Sequence, residues 1–154
     1  MRVILAIDYS VRSASAVDAV ARRRWQEGTT ICVVSAVPRM PPSAAELWFD
    51  AAGSLETVWE GRRARARELT GRAAEILRAA GLATGTAVFD GNLSHAVQKQ
   101  AATWHADLIV MGSLSCRFLP RWQAARLRRR LPGPTVCSVE VFSSKHAAHP
   151  IIAI

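Results

Sequence analysis

Cysteine is scarce in this chain. Three residues in 154, Cys32, Cys116 and Cys137, are too few and too scattered for a disulfide framework or a zinc site. Cys32 and Cys137 sit inside strand-like apolar runs, the setting of a buried, inert thiol. Histidine does not make up the deficit: His95, His105, His146 and His149 share no ligand spacing with one another or with the cysteines, which argues against a metal centre. His105, just ahead of an apolar run, reads as a surface or capping residue and not as a base. No Ser-His-Asp or Cys-His arrangement is legible, so no catalytic residue is assigned and the chain is not expected to be an enzyme. Long apolar runs are missing as well. None approaches the roughly 18 residues of a membrane span, and the N-terminus lacks the charged-then-apolar layout of a signal peptide. The expectation is a cytoplasmic protein without membrane contact.

Lysine is nearly absent, and the net charge of +8 is carried by arginine. Such a balance attracts phosphates and nucleic acid. However, Arg62, Arg63, Arg65, Arg67, Arg72 and Arg78 crowd one helical segment, where a charge run reads as a solvated face. Nucleic acid is therefore not the expected partner.

What the chain does have is buried strands. Leu108-Ile109-Val110-Met111, between Asp107 and Gly112-Ser113, is an apolar run of the kind found where a strand is covered on both faces. The glycine supplies a backbone free to take φ > 0 at the strand's C-terminal end. Val3-Ile4-Leu5-Ala6-Ile7 ends in the same way, in Asp8-Tyr9-Ser10. In open α/β sheets ligands bind at such ends, so the two define a crevice.

Between them the spacing predicts a helix over about 10–26, with Val11, Ala14, Val17, Val20, Ala21 and Trp25 on one face, Arg22, Arg23 and Arg24 in its last turn and Gly28 as its stop. Thr29 to Val37 reads as a β-branched strand, making a βαβ unit. Ser43 to Glu46 is a capping box for a short helix carrying Leu47, Trp48 and Phe49. A long helix over 55–80 follows, with Ala66, Leu69, Ala73, Ile76, Leu77 and Ala80 inward and Gly81 at its end. After it come a short strand at 86–89, an Asp90-Gly91-Asn92 turn and a helix burying Leu93, Ala96, Val97 and Ala101. Past Gly112 the pattern gives a loop to Pro120, a helix ending near Leu131, and an alternating edge strand from Thr135 to Phe142. Strands alternating with helices give one three-layer, doubly wound α/β domain over 1–142. The tail 143–154 ends in Ile151-Ile152-Ala153-Ile154, which is expected to pack on the body or on a partner's strand edge.

These blocks resemble the universal stress protein family over nearly the whole chain to Phe142. The residues that carry the resemblance are Ile4 to Ser10, Asp90-Gly91 ahead of a helix, Ala106 to Ser113, and the Pro-x-Pro run at Pro132 and Pro134 leading into the last strand. The resemblance implies a five-stranded parallel sheet of order 3-2-1-4-5 and a homodimer. In the nucleotide-binding branch an Asp after the first strand lies near the adenine. A glycine signature after the fourth strand (Gly, two residues, Gly, nine residues, Gly, then Ser or Thr) lets backbone N–H groups reach the phosphates.

Asp8 matches the adenine-side Asp and Gly112 the first glycine; Tyr9, Ala36 and Ser113 complete the candidate nucleotide-side set. Ser115 replaces the second glycine, and Ala125-Arg126 stands where Gly-Ser belongs. Counting back from the Pro-x-Pro run puts Arg121-Trp122 there instead, in a loop about four residues shorter. By either register two of the three glycines are gone. The resemblance thus implies a regulatory stress protein that works through dimerisation and an unidentified protein partner, with ATP binding weakened or lost. The alternative is ATP or AMP held by Arg117 and Arg121 through bidentate guanidinium contacts in place of the glycine loop.

Overall fold

A computed structural model describes residues 1–39, 55–112 and 138–142. Five parallel strands form one sheet of order β3-β2-β1-β4-β5: β1 (Arg2–Ala6), β2 (Thr30–Val37), β3 (Ala83–Asp90), β4 (Leu108–Gly112) and β5 (Ser138–Phe142). Three described helices connect them: α1 (Val11–Arg22), α2 (Leu55–Ala79) and α3 (Leu93–Trp104). The helix expected around Leu47, Trp48 and Phe49, the one ending near Leu131, the start of the last strand at 135–137, and the tail 143–154 lie outside the described residues.

The β1 and β4 runs are apolar throughout because both of their faces are covered. Side chains alternate across a strand, so Val3, Leu5, Ile7, Leu108 and Val110 join Val17 and Val20 of α1 and Leu69, Ala73 and Leu77 of α2 on one face. Ile4, Ala6, Ile109 and Met111 join Ala96, Val97 and Ala101 of α3 on the other. The sheet turns from one winding direction to the other between β1 and β4, with Ala6 level with Met111 in register.

At the opposite end of the sheet, Asp107 closes the same pair of strands. Its carboxylate accepts the Arg2 N–H at 2.7 Å, its own N–H donates to the Arg2 carbonyl at 2.8 Å, and its carbonyl accepts the Ser138 N–H at 3.0 Å. One residue therefore ties together the starts of β1, β4 and β5.

Helix boundaries follow local chemistry. Ser10 caps α1, its hydroxyl accepting the Ser13 N–H at 3.3 Å. The helix stops at Arg22, earlier than the apolar spacing suggests, with Arg23 already extended at ψ 139°. Trp25 reaches the core from beyond the helix, its Nε1–H donating to the Val20 carbonyl at 2.8 Å. Its ring carries the Arg23 guanidinium 4.6 Å above the centroid. Gly28 belongs instead to the turn into β2, at φ +74°. Val11, on the expected inner face, is half exposed as the first helical residue, whereas Ser13 and Ser15 are buried.

Helix α2 ends as expected at Gly81, whose φ of +83° needs a glycine. The Gly81 N–H donates to Arg78 and the Leu82 N–H to Leu77, the paired bonds of a Schellman cap. Its inner face is rotated relative to the expectation: Val58, Thr70 and Ala74 are buried, while Ile76 and Ala80 are exposed. β3 is twice the expected length, because pairing with β2 along eight residues recruits Ala83-Thr84-Gly85, which carry no apolar pattern of their own. Asn92 caps α3, its Oδ1 accepting the Ser94 N–H at 2.7 Å, and His105 ends it in the left-handed region at φ 51°, the capping place expected of it.

The rotated face of α2 has a measurable consequence. Leu77→Ala leaves a hole in a fully buried site and costs about 2–5 kcal/mol, whereas Ile76→Ala costs less than about 1 kcal/mol. Urea denaturation of the two variants checks the difference, with equal m-values as the control.

Candidate functional site

The C-terminal ends of β1 and β4 meet where the winding reverses, and the first turn of α1 rises from that point. Asp8 organises the turn. Its Oδ1 accepts the Ser10 N–H at 3.0 Å, the Ser10 hydroxyl, and the Ser13 hydroxyl at 2.6 Å. The Ser13 hydroxyl in turn accepts the Asp8 N–H at 2.9 Å. The carboxylate thus shapes the loop whose serines cap the helix, and the Asp-x-Ser-x-x-Ser spacing is what brings the three polar side chains together.

Gly112 faces the same turn. A Cβ at this position would lie 2.6 Å from the Arg12 carbonyl oxygen and 3.0 Å from the Ser13 nitrogen. Its φ is not positive; the glycine is required because helix backbone occupies the space a side chain would fill. This corrects the expectation of a backbone freed for a left-handed turn.

Tyr9 stands about half exposed beside this turn, within the electrostatic reach of Arg65 and Glu68 on α2. Partial burial pushes its hydroxyl above the usual tyrosine range, the Arg65 charge opposing that rise and Glu68 adding to it. Ala36, near the end of β2 and level with Phe89 of β3, packs on the α3-side cluster. Asp8, Tyr9 and Gly112 are therefore brought together around one turn, with Ala36 one strand away. Ser113, Ser115, Arg117 and Arg121 lie outside the described residues.

A feature the sequence pattern does not reveal sits at the same end of the sheet. Asp90, the last residue of β3, receives both arms of the Arg63 guanidinium, Nε at 3.1 Å and Nη2 at 2.7 Å. Arg63 also bonds Glu60 at 2.8 Å. The Arg63 hydrogen bonds hold the Asp90 carboxyl below the usual carboxylate range, and Arg39 and Arg67 add to the effect. The pair locks the N-terminal half of α2 over the ends of β2 and β3, while the Gly91 N–H donates to Val37 at 2.7 Å. The two residues are 27 apart in sequence, so no local spacing announces them.

Cys32 is buried on the α3 side with Gln100 Nε2 3.6 Å from its sulfur, and burial raises its pKa. Such a thiol is a poor nucleophile. Among the described residues no three His, Cys, Asp or Glu side chains are grouped as metal ligands, and no helix is long and apolar enough to cross a membrane.

Two outcomes are expected from this geometry. Gly112→Ala forces α1 off β4 and destabilises the fold by about 1–3 kcal/mol, read as a lowered urea midpoint. The Asp90 carboxyl, with its folded pKa depressed, contributes stability in full above the unfolded value of about 3.9. That contribution is lost as pH falls through the lower folded value. The stability gap between the wild type and Asp90→Asn at neutral pH therefore closes in acid; a gap constant down to pH of about 2 contradicts the assignment.

Residues 1–135 match the universal stress protein family. A search of the curated proteins finds no match. Among solved structures, a universal stress protein family member from Burkholderia pseudomallei is 18% identical, with a TM-score of 0.65 over 93% of this chain and 96% of that one. A universal stress protein in complex with cAMP is 18% identical, with a TM-score of 0.61 over 96% and 98%. A family protein from Arabidopsis thaliana with AMP bound is 14% identical, with a TM-score of 0.57 over 92% and 90%. At these identities the structures speak to the fold, which has the strand order implied by the sequence blocks. The match across 1–135 and the five-stranded sheet agree, and the chain belongs to the universal stress protein family.

Proposed function

We propose that this chain is a non-enzymatic, regulatory stress protein of the cytoplasm that acts as a homodimer through contacts with another protein, its ATP binding weakened or lost. One observation carries the reading. Gly112, the single glycine of the phosphate signature that the chain keeps, is needed for the packing of α1 against β4. Its retention therefore says nothing in favour of a phosphate cradle. The other two glycine positions of the signature have changed, to Ser115 and to Ala125-Arg126 or Arg121-Trp122 according to register. Without the glycines, side chains stand between a phosphate and the backbone N–H groups that would hold it.

A second reading draws on relatives whose structures hold cAMP and AMP. In it Arg117 and Arg121 grip the phosphates of ATP or AMP directly.

Calorimetric titration separates the two. The first reading expects no saturable ATP binding below roughly millimolar concentration and no nucleotide in native mass spectra of the purified protein. Micromolar ATP binding lost in Asp8→Ala contradicts it. The second expects Arg117→Ala with Arg121→Ala to weaken binding by several kcal/mol, and unchanged affinity rejects it.

A further inference from the structure

The outer edge of β3 bears a row of cations with a gap between them. The Gly91 N–H bonds across the ladder to Val37, so odd-numbered residues of β3 turn their backbone groups towards β2. Even-numbered residues then turn theirs outward: Thr84, Thr86, Val88 and Asp90. Thr84 agrees with this phase, because its carbonyl accepts two bonds from the Arg78 guanidinium, at 3.1 and 2.8 Å.

Helix α2 runs antiparallel to β3 and holds it at both ends, Arg78 at Thr84 and Arg63 at Asp90. On the helical wheel Arg67 falls between Arg63 and Arg78, on the flank that faces the strand. Between Arg67 and Arg78 that flank carries only Gly71 and Ala74, and there is open space around Gly71. Arg67 is exposed; its charge reaches the Asp90 carboxylate, but no ion pair joins it to a described carboxylate. On the other face of β3, the Lys99 ammonium of α3 lies 5.9 Å from the centre of the Phe89 ring. Among the described residues nothing pairs with the outward N–H and C=O groups of Thr86 and Val88, a short stretch bounded by arginines at both ends and overlooked by a cation on each face.

We propose that this edge is a docking site for an extended, acidic segment of a partner protein, which adds as a sixth strand beside β3. Main-chain hydrogen bonds to Thr86 and Val88 supply the affinity common to all strand additions. Arg67 and Lys99 select carboxylate side chains, which alternate to the two faces of an added strand. The arginines at Thr84 and Asp90 limit its length, and together with the cationic flanks they disfavour pairing with a second, equally basic copy of this chain. The inference rests on the partner contact proposed above and assigns it a place, and it holds whether or not the chain takes a nucleotide at the end of β4.

The probes are two fluorescent peptides, one of repeating Val-Glu-Glu-Val and one of repeating Val-Lys-Lys-Val, so that each presents its charged side chains on both faces of an added strand; binding is followed by anisotropy and by amide hydrogen exchange of the full chain. The acidic peptide is expected to bind and to slow exchange at the Thr86 and Val88 amides. The basic one is expected not to bind. Arg67→Glu weakens acidic-peptide binding by about tenfold or more, while Arg24→Glu, the same charge change near the far end of α1, alters it less than about threefold. Thr86→Pro removes an outward N–H that the sheet does not use, a position where an edge strand tolerates proline, and it abolishes binding. Equal weakening by Arg67→Glu and Arg24→Glu, equal binding of both peptides, or unchanged exchange at Thr86 and Val88 overturns the proposal. So does a dimer that dissociates in Thr86→Pro, which makes the edge a self-association surface. Failure of all peptide binding with the dimer intact removes this site alone. Tight ATP binding would instead remove the loss of nucleotide proposed above and leave this site untouched.

Discussion

The contact between Gly112 and the first turn of α1 is the constraint on which the rest of the site depends. β1 and β4 are buried on both faces, and the chain that leaves β1 covers the end of β4. The chain leaving β1 turns at once into a helix, and the turn is narrow enough to place helix backbone against the end of β4. A side chain at position 112 would push α1 outward and take Val17 and Val20 away from the sheet. Asp8, Ser10 and Ser13 set the shape of the turn, and the absence of a Cβ at Gly112 makes room for it.

This constraint changes the meaning of the familiar blocks. Asp107 is a structural clasp at the far end of the sheet, joining three strands through its carboxylate, N–H and carbonyl. Gly112 is a packing glycine. Packing alone is reason enough to keep both residues, whatever becomes of the other glycine positions of the signature. Retention of the fold and replacement of two signature glycines in the sequence are then compatible for a physical reason.

The arginine-rich composition also resolves into separate duties. Arg63 locks α2 to the end of β3, Arg78 covers an outward carbonyl of the edge strand, Arg72 pairs with Glu68, and Arg62 lies over Trp59. Much of what composition presents as one basic face is thus committed to holding α2 in place and guarding a strand edge. Because these pairs are largely exposed, each contributes modestly, and their importance lies in where they fix the helix.

Local pattern was enough for the central strands, the helix ends at Asn92 and Gly81 and the α3 face, while the family resemblance supplied the strand order; the cap at Ser10 was not read from the sequence. It misplaced the end of α1 because Trp25 has the right spacing for a helix yet reaches the core from an extended segment. It shortened β3 because Ala83-Thr84-Gly85 become strand only through their pairing with β2. It did not reveal the Arg63–Asp90 clamp at all, since a charged pair distant in sequence leaves no periodic trace. The sequence by itself determined the buried strands, the strand ends that define the crevice and the replacement of two signature glycines, because these rest on residue type and short-range spacing. Only the tertiary structure decided why position 112 must be glycine and which arginines are committed, because those depend on which backbone atoms and which carboxylates the fold brings within reach.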